Sequence, residues 1–162
     1  MIQQKAKRRQ DKGKEQAATR VEIRLTKGIR GISTVWVKRI VVDTLSAEKV
    51  RRYEAGVLVT GDREIRRINK KFLDHDYATD VISFGLEAGR GDIVVSAGMA
   101  RRLARELGIP FKEELARYLV HGTLHLLGYD DIDKRKRAKM RREEKRLMTL
   151  ARKHKCILEP CC

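Results

Sequence analysis

His121 and His125, followed six residues later by Asp131, are the side chains whose types and spacing best suit chemistry in this sequence. On a helix, residues four apart lie about 40° from each other around the axis, so both imidazoles project from one face. Neutral imidazoles so placed can grip one zinc ion at about 2.0–2.1 Å. Gly128 ends such a helix and lets the chain turn back, which brings the Asp131 carboxylate within reach of the same ion. Three protein ligands and one open position describe a catalytic rather than a structural zinc site. The competing reading, two ordinary core or surface histidines, leaves the paired spacing, the stop glycine and the acidic turn without a cause. Gly122 occupies the place where the metalloprotease pattern H-E-x-x-H carries its general-base glutamate, so any base must come from elsewhere. Glycine inside a helix costs about 1 kcal/mol against alanine, which points to a close approach at that backbone by a neighbouring helix or a substrate.

The surrounding pattern says what must hold these residues. Val21–Leu25 alternates apolar and charged residues as a half-buried strand does, and the residues from Gly56 to Thr60 read as a buried strand. The stretch from Ser33 to Leu45 carries both β-branched residues and a helix-like face, and its length favours helix. Asp62 is placed to cap a helix with Ile65, Ile68 and Phe72 along one stripe. Asp74-His75-Asp76 is turn-rich and reads as a solvated acidic turn rather than a second metal cluster. Residues 81–84 and 92–95 are short strands joined through glycines, a hairpin pattern. Ser96 caps a helix that ends at Gly108 and Pro110. A second helix starts near Pro110, with Glu113 and Glu114 in its first turns, and runs to Gly128. A basic helix covers about 133–153, with Met140, Leu147 and Ala151 on its apolar side. The expected fold class is α+β, a single mixed sheet of about four strands packed with about five helices. The zinc site then lies on a helix and the turn after it. Asp80, Ser83 and Asp92, at strand edges, read as turn-fixing residues.

Charge is unevenly spread. The 162 residues carry a net charge of +16, of which residues 1–20 supply +5 and residues 134–155 supply +10, while 21–133 hold only +2. A nearly neutral body between basic segments suits a polyanionic partner such as RNA, DNA or an anionic membrane surface, with Lys134, Arg135, Lys136 and Arg137 as candidate contacts, to RNA if that is the polyanion. Residues 1–19 are expected to form a mobile basic arm, 20–155 a single metallohydrolase domain, and 156–162 a tail. That tail holds Cys156, Cys161 and Cys162, too close together to staple a fold, and His154 with Cys156 and Cys161 makes at most a weak terminal metal site. No apolar run approaches the roughly 20 residues of a membrane-spanning helix, and the N-terminus has no hydrophobic stretch for secretion, so a cytoplasmic location and no membrane partner are expected.

The segment from His121 to Asp130, HGTLHLLGYD, resembles the signature of the YbeY family, bacterial endoribonucleases of rRNA maturation and ribosome quality control. The likeness extends upstream through Thr79-Asp80-Val81-Ile82-Ser83-Phe84 and Gly91-Asp92-Ile93-Val94-Val95-Ser96, and covers roughly residues 55–148. It implies one zinc ion per chain on His121, His125 and Asp131, an RNA phosphodiesterase activity, and ribosomal RNA or the ribosome as partner. Two positions depart from the family. Asp131 stands where a third histidine is usual, and Leu73 stands where many members have an arginine that assists catalysis. Two readings of other classes remain open at this level: a metal-dependent peptidase or amide hydrolase, and a non-catalytic RNA or ribosome assembly factor with a structural metal.

Overall fold

A computed structural model describes residues 18–87 and 89–153; the N-terminal arm through residue 17 and the tail with His154 and the cysteines lie outside it. The chain runs β1 (Arg20–Leu25), α1 (Thr34–Ala47), β2 (Glu54–Thr60), α2 (Asp62–Leu73), β3 (Val81–Gly85), β4 (Arg90–Ser96), α3 (Ala97–Leu107), α4 (Phe111–Leu126), α5 (Lys134–Lys153). The four strands form one sheet in the order β1-β2-β4-β3. β1, β2 and β4 are mutually parallel, and β3 returns antiparallel to β4 along the edge through the glycine-bearing hairpin. The α+β class and mixed sheet match the sequence expectation.

Strand alternation sorts the apolar residues between two faces. Val57, Val59, Ile93 and Val95 point to one side, where Val37, Ile40 and Val41 of α1 and Leu115, Leu119 and Leu124 of α4 bury them. Met140, Leu147 and Met148 of α5 close that core, so the apolar side of the basic helix is its inner side. On the other face, Ile82 and Val94 meet Ile65 of α2 in a smaller cluster. The stretch from Ser33 is helical because Ser33 caps it, accepting from the Trp36 amide at 3.1 Å, and because Val37, Ile40 and Val41 face the core while Val35 is exposed.

Two local readings need correction. Asp62 is not the cap of α2: Gly61 holds that place, and the Asp62 carboxylate instead accepts from the Ser96 hydroxyl at 2.6 Å and from Arg102. Burial would raise its pKa, but those two donors outweigh it and hold the carboxyl below its ordinary value. The stripe on α2 also fades toward its end, since Ile65 is fully buried while Phe72 is 59% exposed. At the end of α2 the Phe72 ring packs edge-to-face with Phe84, ring centroids 5.6 Å apart, and borders a groove with Leu58, Ile68 and Val94.

Candidate metal centre

α4 carries His121 and His125 to the β3 edge of the sheet because its own glycine lets it come close. A Cβ at Gly122 would lie 2.8 Å from both Val81 Cγ2 and Ile93 Cγ2. The backbone neighbour foreshadowed by this glycine is therefore the sheet, neither a helix nor a substrate. Ser83 does more than fix a turn: its hydroxyl donates to the Gly122 carbonyl at 2.9 Å and ties β3 to α4. Asp80 does fix a turn, accepting from the Val81 amide at 2.8 Å.

Beyond α4 the chain reverses at Gly128, whose φ of +88° is left-handed. The Tyr129 amide bonds back to the Leu124 carbonyl at 3.1 Å, and the turned-back Tyr129 carbonyl sits 3.0 Å from His125 Nδ1. A carbonyl only accepts, so His125 carries its proton on Nδ1. His121 Nδ1 faces a carboxylate oxygen of Glu144, on α5, at 2.8 Å. Its proton belongs on that nitrogen for the same reason. With each ring neutral and protonated on Nδ1, both Nε2 atoms carry lone pairs, and they face each other at 3.1 Å. An Asp131 carboxylate oxygen completes a set of three donor atoms lying within 4.8 Å of one another.

Two nitrogen lone pairs and a carboxylate oxygen aimed at one point repel unless a positive charge lies among them. A tetrahedral site with bonds of about 2.0–2.1 Å needs donors about 3.3 Å apart, close to the imidazole separation seen. The donor chemistry therefore fits a small divalent cation such as zinc. The same electrostatic demand acts on His121 itself. Burial would depress its pKa, yet Glu144, with Asp80 and Asp131 beyond it, raises it above the usual histidine value.

The other acids of the turn are used elsewhere. Asp130 accepts from the Asp131 and Ile132 amides at 2.7 and 3.2 Å and from Lys136 at 3.3 Å. Asp133 accepts from the Lys136 amide at 2.8 Å at the start of α5. Among the described residues the cluster stops at His121, His125 and Asp131.

These three border a cleft of about 540 Å³ that is also lined by Leu73 at the end of α2 and by His75 and Tyr77 of the segment leading to β3. Among the described residues no lysine or arginine lines it. The cations near Leu73 have partners of their own: Arg66 and Lys70 both bind Asp76, Arg67 binds Glu64, and the Lys71 amine lies over the Phe72 ring. The four basic residues singled out on α5 divide in two. Lys136 holds Asp130, and Arg137 Nε donates to the Asp131 carbonyl at 3.1 Å, so this pair braces the metal turn. Lys134 and Arg135 are exposed and form no ion pair with the described residues.

Glu144 is the residue that sequence reasoning missed. It lies amid a run of charges, but Met140 four positions before it and Leu147 three after it are buried, and that phase puts it on the inner side of α5.

Comparison with known proteins follows the same outline. Residues 20–152 match the family model described as Endoribonuclease YbeY. A Persephonella marina protein named endoribonuclease YbeY is 36% identical over 119 residues, spanning 68% of this chain and 78% of its own. A Porphyromonas gingivalis protein of the same name is 35% identical over 130 residues, covering 75% and 86%. A Thermotoga maritima protein with a solution structure shares the fold at a TM-score of 0.57 and 23% identity, over 84% of this chain and 94% of its own.

Proposed function

The chain belongs to the endoribonuclease YbeY family, and we propose that it is a zinc-dependent endoribonuclease of rRNA maturation and ribosome quality control, with His121, His125 and Asp131 as metal ligands. The observation that carries this reading is the pair of Nε2 atoms facing each other at 3.1 Å beside Asp131, in an open cleft, with both Nδ1 atoms anchored. A divalent cation held there supplies Lewis acidity toward a phosphoryl oxygen and an acidified water. The chain's own residues do the rest by position. Glu144 and the Tyr129 carbonyl fix the tautomer and direction of each imidazole, as partners of metal-bound histidines generally do. Asp131, in place of a third histidine, makes the donor set more anionic. With Asp130 and Asp133 engaged elsewhere, a three-residue donor set supports an open position for water and substrate, against a purely structural metal.

Because no lysine or arginine among the described residues lines the cleft, the grip on the RNA backbone falls to cations outside it, with Lys134 and Arg135 of α5 among the exposed candidates. No helix among the described residues is long and apolar enough to cross a membrane. The test is metal analysis of wild type and His125→Ala, with RNA cleavage assayed on the same samples. About one zinc per wild-type chain is expected, and the variant should lose metal and cleavage together. Metal retained at full occupancy in the variant, or cleavage that survives metal loss, defeats the reading.

A further inference from the structure

The cleft wall facing the histidines is a short segment fastened at several points, with two aromatic rings left outside. α2 ends at Asp74 in the left-handed conformation, φ 58°, and the His75 amide then donates to the Asn69 carbonyl at 3.3 Å. Asn69, 2% exposed, donates from Nδ2 to the Tyr77 carbonyl at 3.0 Å. Asp76 between them is held by Arg66 at 2.8 Å and Lys70 at 3.0 Å. The backbone of this segment is thus fixed from beneath. Its rings are not: His75 is exposed, Tyr77 is 57% exposed, and the two stack on each other with centroids 5.4 Å apart and planes 15° from parallel. Both border the cleft that holds His121, His125 and Asp131.

A flat stacked pair open to solvent contributes little to the core. It does offer aromatic faces beside a centre that handles phosphodiesters. We propose that His75 and Tyr77 form a stacking platform for a nucleobase of single-stranded RNA, adjacent to the phosphate at the metal centre. The inference rests on the endoribonuclease reading and states how its substrate is held. Two considerations favour a base over another occupant. Among the described residues the cleft's lining lacks lysine and arginine, so beside the metal centre no such side chain supplies local affinity for phosphate. Stacking on aromatic faces is how single strands are commonly gripped without regard to sequence, since every base has such a face.

The experiment compares wild type, Tyr77→Ala and Tyr77→Phe, all metal-loaded, on one single-stranded oligoribonucleotide and on its copy with an abasic ribose beside the scissile bond. Tyr77→Ala should raise KM about tenfold on the intact strand, the loss falling on KM more than on kcat, and Tyr77→Phe should restore it. Melting temperature and metal content should match wild type, because only the carbonyl of Tyr77 is tied to Asn69. The abasic strand should cost wild type a similar factor and cost Tyr77→Ala little more. An unchanged KM in Tyr77→Ala, or losses from the variant and the abasic site that simply multiply, overturns the platform while leaving the nuclease reading intact. A wild type that cleaves no RNA overturns the nuclease reading instead. The platform is then decided by a 2-aminopurine placed in the strand: quenching on mixing with wild type and not with Tyr77→Ala supports it, and no quenching removes it.

Discussion

On one wall of the cleft, His121 and His125 are partly buried and each has its outer nitrogen hydrogen-bonded, to Glu144 and to the Tyr129 carbonyl. On the other wall, the rings of His75 and Tyr77 stand in solvent and meet chiefly each other, although the backbone under them is just as firmly tied. The same residue type, histidine, serves on both walls under opposite constraints. A metal ligand has to aim one lone pair at one point, so it needs a second-nitrogen partner and a buried stem. A stacking face tolerates sliding and rotation, so fixing the backbone is enough. Preorganisation here extends as far along each side chain as its chemistry requires.

The sharpest way to break this comparison is to remove a ligand from each wall in turn. His121→Ala or His125→Ala should abolish stoichiometric zinc, since two remaining ligands hold it poorly, and cleavage should vanish with it. His75→Ala should leave metal content untouched, as read by atomic absorption on the purified proteins. Asp131→Ala should weaken zinc affinity by about tenfold or more, while Asp131→His should retain it. Zinc bound equally well by Asp131→Ala would remove the carboxylate from the donor set.

A milder change tests whether the anchoring of His121 matters beyond the ligands themselves. Glu144→Gln keeps an acceptor for the Nδ1 proton but removes the charge. Zinc affinity should fall by about tenfold, toward the lower end of what such partners contribute. It can be measured by competition with a chromogenic chelator. An affinity equal to wild type would mean the ring is aimed by packing on α4 alone.

How much of this was legible follows from where the partners sit in sequence. His121, His125, Gly128 and Asp131 fall within eleven residues on one helix and its turn, so periodicity and turn chemistry expose them. Glu144 lies 23 residues from His121 on another helix, and only the phase set by Met140 and Leu147 marks it. The strands and helices were readable because their apolar residues alternate or recur on one face. What was not readable depended on tertiary placement. Asp62 looked like a cap until Ser96 and Arg102 were seen to take its carboxylate. Phe72 fitted an apolar stripe, but its ring is 59% exposed while Ile65 is buried. The His75–Tyr77 stack needs the fold of a turn that the sequence shows only as polar.

Gly122 sets how near α4 can come to the sheet beneath the metal centre, and a methyl there asks whether that spacing is rigid. Gly122→Ala pushes a Cβ to within 2.8 Å of Val81 and Ile93, branched side chains with little room to move. Overpacking of this kind costs about 1–3 kcal/mol, against which the better helix propensity of alanine returns about 1. A net loss of about 1 kcal/mol, read as a lower denaturant midpoint at constant slope, is expected. A gain in stability would show that β3 can retreat from α4.

The smallest effect expected separates binding from bracing on α5, behind the metal-bearing wall. Lys134 and Arg135 are free cations, whereas Lys136 and Arg137 hold Asp130 and the Asp131 carbonyl. Changing all four together would mix the two roles, so they should be changed in pairs. Each phosphate contact contributes about 0.7–0.9 to the slope of log affinity against log salt. Lys134→Gln with Arg135→Gln should flatten the slope for RNA by about 1 to 2, the upper value requiring that both side chains reach phosphates, and leave zinc affinity as it was. Lys136→Gln with Arg137→Gln should change the slope less, because Lys136 is paired with the Asp130 carboxylate and Arg137 is engaged by the Asp131 carbonyl, and should instead loosen the turn and lower zinc affinity by a few-fold. An equal slope change from both pairs, with zinc unaffected by either, would mean that the bracing contacts yield to RNA and that α5 binds as one uniform cationic face.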